Sequence, residues 1–420
     1  MEAYRHTEAS PSPLASRVRL GGHEQVLISV APATGVTLQE QVQELQLRID
    51  RVLHENGLNR DSVVKQTVFL RTSDDRDFCD KSFSKYYGKI GGPATSYMIQ
   101  PPAGGEHLAI EITAVTGEDA RVRRVNGNLT VVEEKGLRWA YVAGVEPDER
   151  INDTYEQALN VLGNMKSILR RRHLGLRLRN FGFRNIVRTW IYERDIVGKD
   201  GDGGQRYQKL NEARSRFFRN VKLDIRCGLV NAMVNLFRRF QDAGTIPPAS
   251  TGIGASEGTF VMEALAISTK RKDVYIKPLQ NPVQTNAFHY SQKQLLKGTS
   301  VGKKAPPFFS RGMSVVVSGD QMVLVSGTAS IEGEKTVHIG DVGKQTEVTM
   351  GNIERVLGQA GASLKDVPQL RVYIKKKQDY AKVKRAVEEK CPGVPCLYMI
   401  ADVCRDDLLV EIEAIAFLPL

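Results

Sequence analysis

Cysteine is scarce in this sequence and forms no pattern. Cys79, Cys227, Cys391, Cys396 and Cys404 are odd in number and show no metal-ligand spacing. That favours a reduced, cytosolic setting over a disulfide framework. Seven histidines are scattered with no pair at ligand spacing, so neither a metal nor another cofactor is expected. No apolar run approaches the roughly 18 residues that suggest a membrane span. The N-terminal MEAYRHTEAS has no apolar stretch of signal-peptide type, so no membrane association is expected.

What is present is ordinary for a globular chain: 41% hydrophobic and 25% charged residues. At 420 residues it exceeds what one core usually organises, and two or three domains are expected. The formal charge of +11 gathers in patches such as ILRRRHLGLRLRNFGFR (168–184), LFRRF (236–240) and STKRKD (268–273). These fit solvated helix faces, a nucleic-acid surface, or attraction of a small dianion into a cleft. Charge alone does not choose among them.

One order of signals occurs three times. A strand running into a turn comes first: EQVLISVAP (24–32), LRWAYVAGVEP (137–147) and DQMVLVSGTAS (320–330). An amphipathic helix follows, with Val42, Leu45, Ile49 and Val52, or Met350, Ile353, Val356 and Leu357, at helical spacing. Next are a β-branched strand (63–71, 185–194, 369–377), a charged helix, and a last strand: LAIEITAV, TFVMEALAI or LLVEIEAIA. The fold class predicted is α+β, three units of roughly β-β-α-β-α-β order with helices on one face of a mixed sheet. Their boundaries are a tail at 1–14, then 15–120, 121–280 and 281–420, the middle unit carrying an inserted helix at 219–244. Three such units would form an intramolecular pseudo-trimer, monomeric in solution, with ligand clefts between neighbours.

The last strand poses the sharpest question. In DLLVEIEAIAF (407–417), alternation puts Val410, Ile412 and Ala414 on one face and Glu411 and Glu413 on the other. An acid between Val410 and Ile412, facing a cleft, is suited to a raised pKa and to giving up a proton. Glu413 reads as a solvated or salt-bridged neighbour. The middle unit offers Met262 at the place of Glu411.

The third unit, ending VEIEAIA, resembles the Rid/YjgF family, trimers of small α+β subunits with active sites between subunits. Many members are enamine/imine deaminases whose arginine, at the start of the penultimate strand, holds the substrate carboxylate. Here PATSYMIQ and VPCLYMIA put Thr95, Ser96 and Cys396 near that position. A closer resemblance is to the chorismatases, single-chain enzymes with tandem Rid-like domains that hydrolyse the enolpyruvyl ether of chorismate. It is carried by WIY (190–192), RYQKLNEAR (206–214), PASTGIG (248–254), PPFFSRG (306–312), SGTAS (326–330) and CRDDLLVEI (404–412). The chain departs from that pattern at Ile191, where the family has asparagine, in the 219–244 insertion, and in a whole unit preceding the resemblance.

The resemblance implies a small anionic carboxylate as ligand and Glu411 as general acid. Arg206, Tyr207, Arg214 and Arg311 would hold the carboxylates, arginine as a planar fork and tyrosine as a rigid hydroxyl. Ser326, Gly327, Thr328 and Ala329 would hold a ligand oxygen through backbone N–H and hydroxyl groups. Cys404 has no histidine partner, so it would shape the site rather than attack. A Rid-like deaminase or small-molecule binder, and a non-catalytic or RNA-associated scaffold, stay open as alternatives.

Overall fold

The computed structural model describes residues 14–170, 181–218, 221, 247–295 and 304–419. The expected inserted helix at 219–244 therefore lies, except for Val221, outside the described residues. The first sheet holds β1 (Ala15–Leu20), β2 (His23–Val30), β3 (Val63–Leu70), β4 (Ala94–Ile99) and β5 (Leu108–Thr116). Its order is β1-β2-β5-β3-β4, and α1 (Leu38–Glu55) and α2 (Arg76–Tyr87) cover it. Thr37 and Glu40 close a reciprocal capping box at the start of α1, satisfying donors the helix cannot.

The second sheet holds β6 (Arg121–Asn126), β7 (Leu129–Glu134), β8 (Leu137–Val145), β9 (Ile186–Arg194), β10 (Ala249–Ala255) and β11 (Val261–Thr269). They run in the order β6-β7-β8-β11-β9-β10, under α3 (Thr154–Arg170) and α4 (Arg206–Phe218). In the third, β12 (Val274–Leu279), β13 (Gly312–Val317) and β14 (Asp320–Ala329) come first. The hairpin β15 (Ile331–Glu332) and β16 (Lys335–Thr336) stands apart, and β17 (Gln369–Ile374), β18 (Cys396–Ile400) and β19 (Val410–Pro419) complete the order β12-β13-β14-β19-β17-β18. A short α5 (Gln292–Leu295) precedes β13, and α6 (Val342–Gly358) and α7 (Tyr380–Lys390) pack on this sheet.

The β4, β10 and β18 strands pair in parallel with β3, β9 and β17. They are formed by the PATSYMIQ, PASTGIG and VPCLYMIA stretches; the sheets hold five, six and six strands against the four of the expected order. Each follows a helix, which is how the chain returns to run parallel with its neighbour.

Apolar residues fall into two kinds of core. Three cores lie between a sheet and its helices. Two others join the sheets to one another: Val64, Trp139 and Val315 meet in one, and Phe69, Tyr192 and Tyr373 in the other. The architecture is thus mixed α+β, with helices outside and sheet faces inside. Among the described residues no helix is long and apolar enough to cross a membrane.

Candidate active site between the second and third sheets

β19 alternates as its sequence requires. Val410, Ile412 and Ala414 enter the core shared with α6, each burial being worth about 1–3 kcal/mol. Glu411 and Glu413 turn to the interior between sheets and are only 4% and 6% exposed. Neither belongs to a solvated edge.

Glu411 lies opposite Ala329 on β14 and Tyr373 on β17. The pairing of β14 slips between Val325 and Thr328, so the chain bulges at Ser326 and Gly327. The carboxyl occupies the room this leaves: Oε1 would be 2.0 Å from a Cβ on Gly327. Beyond it opens a cavity of about 370 Å³. Burial first, and the negative charge of Glu413 second, push Glu411 up to about 8, while Arg188 and Arg311 pull the other way. That shift favours the uncharged carboxylic acid near neutral pH.

Of the residues expected at the site, the cavity brings together Tyr207, Arg214, Arg311, Gly327, Ala329, Cys404 and Glu411. Tyr207 and Arg214 come from α4, the others from the third sheet and its loops. The hydrogen bonds of both arginines run through Nη2, and the Tyr207 hydroxyl also lies against Arg214. Arg311 Nη2 donates to the Thr285 carbonyl at 2.6 Å and to the Tyr290 hydroxyl at 2.9 Å. Arg214 Nη2 donates to Asn211 Oδ1, and Nε of both arginines is buried without a partner. Burial disfavours the charge on Arg214, which a ligand carboxylate would restore. Cys404 is pushed up to about 12 by burial and by Glu411, so it is a thiol that shapes the wall.

Arg206, Ser326 and Thr328 stand outside the lining. Arg206 neighbours Tyr207 on the helix and so points elsewhere, to Asp195 at 3.2 Å and Asp200 at 3.0 Å. Ser326 Oγ staples the sheets together, donating to the Ser310 carbonyl at 2.6 Å and accepting from Ser250 N–H at 2.9 Å. Thr328 Oγ1 donates to the Ser326 carbonyl at 2.8 Å. The Gly327 N–H is given to Thr251 Oγ1 at 3.0 Å and not to the cavity. The lining also includes Tyr290, Phe309 and Arg405. Phe309 and Arg405 sit inside the PPFFSRG and CRDDLLVEI stretches, which could have flagged them. Tyr290 lies in a connection with no pattern.

Glu413 is the centre of a buried network. It accepts from Arg188 and Thr251, from Arg371 Nη1 at 2.9 Å, from Trp190 Nε1 at 3.2 Å and from the Tyr373 hydroxyl at 3.4 Å. The register also corrects the reading of the middle unit. Glu111 lies opposite Thr67, Glu263 opposite Trp190 and Glu411 opposite Tyr373, each two residues beyond a cation on the neighbouring strand. Glu263, not Met262, is therefore the counterpart of Glu411; β11 slips by one at Met262 against β8. Arg371 holds Glu111 by two nitrogens, and Lys65 holds Glu263 at 2.7 Å with Thr67 at 2.8 Å. Of these three acids Glu411 is the one with no cation bonded to it among the described residues.

Residues 305–418 match the family profile described as Endoribonuclease L-PSP. A RutC family protein of Pyrococcus abyssi is 33% identical over 25% of this chain and 84% of its own. The 3-hydroxybenzoate synthase of Streptomyces hygroscopicus is 30% identical over 57% of this chain. The chorismatase of Streptomyces rapamycinicus is 32% identical over 56% of it. The chain is a chorismatase-like member of the Rid/YjgF superfamily. Its matches span 65% and 64%, a little under two thirds, of the length of those two Streptomyces relatives. A crystal structure of chorismatase superposes with a TM-score of 0.58 at 20% identity, covering 93% of this chain and 98% of the other. That coverage includes most of the first unit, which the sequence motifs had left outside the likeness.

Proposed function

We propose that this Rid/YjgF-superfamily chain cleaves the enolpyruvyl ether of chorismate or a related cyclic carboxylate, with Glu411 as general acid. The observation that carries the reading is an acid kept protonated by burial, facing a cavity that Arg214 and Arg311 also line. The names of its two Streptomyces relatives supply the substrate class.

In this mechanism the two arginines and the Tyr207 hydroxyl fix the carboxylates of the ligand. Glu411 passes its proton to the enol methylene carbon, leaving an oxocarbenium-like carbon beside the ether oxygen. Water adds there, its proton returns to Glu411, and the hemiketal collapses to pyruvate and the ring alcohol. Attack by a ring hydroxyl in place of water would open a different product from the same intermediate. The reaction needs only a proton and water, so no cofactor enters it. Arg188 and Arg371 neutralise Glu413, so that Glu411 is the acid left to protonate carbon.

The shared strand order supports reading 15–120, 121–280 and 281–420 as three Rid-like repeats in one pseudo-trimer, monomeric in solution. In this reading Glu111 and Glu263, tied to Arg371 and Lys65, mark two positions given over to holding the repeats together. Incubating the purified protein with chorismate and assaying pyruvate tests the activity. Release of pyruvate supports it, and its absence under conditions where the protein is folded counts against it.

A further inference from the structure

A second carboxyl group is shut in beneath α4. Glu193 on β9 is 3% exposed, and among the described residues neither of its oxygens has a partner within hydrogen-bond distance. Burying a charged carboxylate without donors costs several kcal/mol, and an apolar side chain would pack there without that cost. Opposite it on β10 stands only Gly254. The charges that reach it are Arg206 and Arg214 from α4 and Asp200 from the preceding loop; the Thr154 hydroxyl at the start of α3 is the donor nearest to it, and it favours the ionised form weakly.

Arg206, Leu210 and Arg214 recur at four-residue intervals along one face of α4. Arg206 is already occupied by Asp195 and Asp200. Among the described residues Arg214 has no carboxylate partner: Nη2 donates to Asn211, the Tyr207 hydroxyl lies against the guanidinium, and Nε, like Asn211 Nδ2, is buried without a bond. A lining cation and a buried acid therefore feel each other's charge with no ion pair formed between them.

We propose that Glu193 is a positioning residue that sets how firmly the pocket holds an anion: uncharged, it leaves Arg214 to the ligand, and ionised, it captures that guanidinium. Burial first, with Asp200 adding to it, pushes Glu193 up to about 8 while Arg206 and Arg214 pull the other way. The exchange thus falls within the working range of pH. Cys404, pushed up to about 12, and Tyr207, pushed further still by burial, do not titrate there. Glu411 does, so its titration has to be removed before that of Glu193 can be seen.

The inference rests on reading the cavity as an anion site, and not on chorismate being the substrate. Isophthalate, a planar dicarboxylate that does not react, is the probe. Its binding is measured by calorimetry from about pH 7 to about pH 9.5 in Glu411→Gln, in the double variant with Glu193→Gln, and in the double variant with Glu193→Met. The dissociation constant is expected to weaken about tenfold across that range in Glu411→Gln, and to stay within about twofold in both double variants. A purely structural role would lower the melting temperature of the double variants and leave the slope with pH unchanged. Equal slopes in all three proteins, or no binding of isophthalate to any of them, overturn the proposal. A flat response in the double variants together with no turnover of chorismate by the wild type would leave it standing and sink the proposed function.

Discussion

Glu411 and Gly327 share one space: Oε1 of the acid would stand 2.0 Å, and its Cδ 3.0 Å, from a Cβ at position 327. Alanine there must turn the carboxyl aside, because the bulge in β14 has no other room for it. Gly327→Ala is expected to lower turnover at least about tenfold, on the scale of a misplaced catalytic group. The flexible end of Glu411 takes up the clash, so the melting temperature should move by no more than a few degrees. Steady-state kinetics beside thermal unfolding checks both halves. Unchanged turnover would mean that Gly327 does not seat the acid.

The charge on Glu411 also couples to folding. Its value of about 8 in the folded chain lies above the ordinary glutamate value of about 4.3 that it regains on unfolding. A raised folded-state pKa contributes stability that is complete below about pH 4.3 and lost as pH climbs through about 8. Glu411→Gln removes that dependence while keeping the shape. The variant is expected to melt a few degrees above wild type at about pH 8, with the gap closing towards about pH 5. Thermal melts of the two proteins across pH measure the difference directly. A gap that widened on acidification would contradict the burial argument.

Of the two readings the sequence leaves open for Glu413, solvated or salt-bridged, the structure takes the second: it is the shared acceptor for Arg188 and Arg371. Glu413→Gln leaves two buried guanidinium groups short of a counter-charge and should cost roughly 3–5 kcal/mol of stability. It also removes a negative charge that raises Glu411. The alkaline limb of the pH–rate profile should then move to lower pH. Chemical denaturation and a pH–rate profile test the two effects separately, and a silent variant would remove Glu413 from the account.

The arginines divide into two kinds. Arg214 and Arg311 line the cavity, whereas Arg206 bonds to Asp195 and Asp200. Losing a charge-assisted hydrogen bond to a ligand costs about 1.5–3 kcal/mol. Arg214→Gln and Arg311→Gln should therefore raise KM roughly tenfold to a hundredfold. Arg206→Gln should act on stability with KM within about threefold of wild type. A larger rise in KM for Arg206→Gln would mean that it reaches the ligand after all.

How far the sequence could be read depended on the range of the interaction. Alternation in β19 and helical spacing in α1 and α6 are local, and they reported the elements and the facing of Glu411 correctly. The parallel strands β4, β10 and β18 leave little mark in the alternation because they are short and paired on one side only. Partners distant along the chain were invisible. Nothing near Glu413 announces Arg188, 225 residues away, and nothing near Lys65 announces Glu263, 198 residues away. The Met262 assignment failed by one residue at a bulge, a feature that shifts register without leaving a compositional mark. Glu193 was passed over because a single acid ending a β-branched strand looks like any solvated end.

The most direct test of the central claim compares wild type with Glu411→Gln in the release of pyruvate from chorismate. Glutamine keeps the volume of the side chain but has no acidic proton to give to carbon. The account predicts pyruvate from the wild type and a rate at least about a hundredfold lower from the variant, the usual scale of general acid catalysis. No pyruvate from the folded wild type, or equal rates from the two proteins, would contradict it.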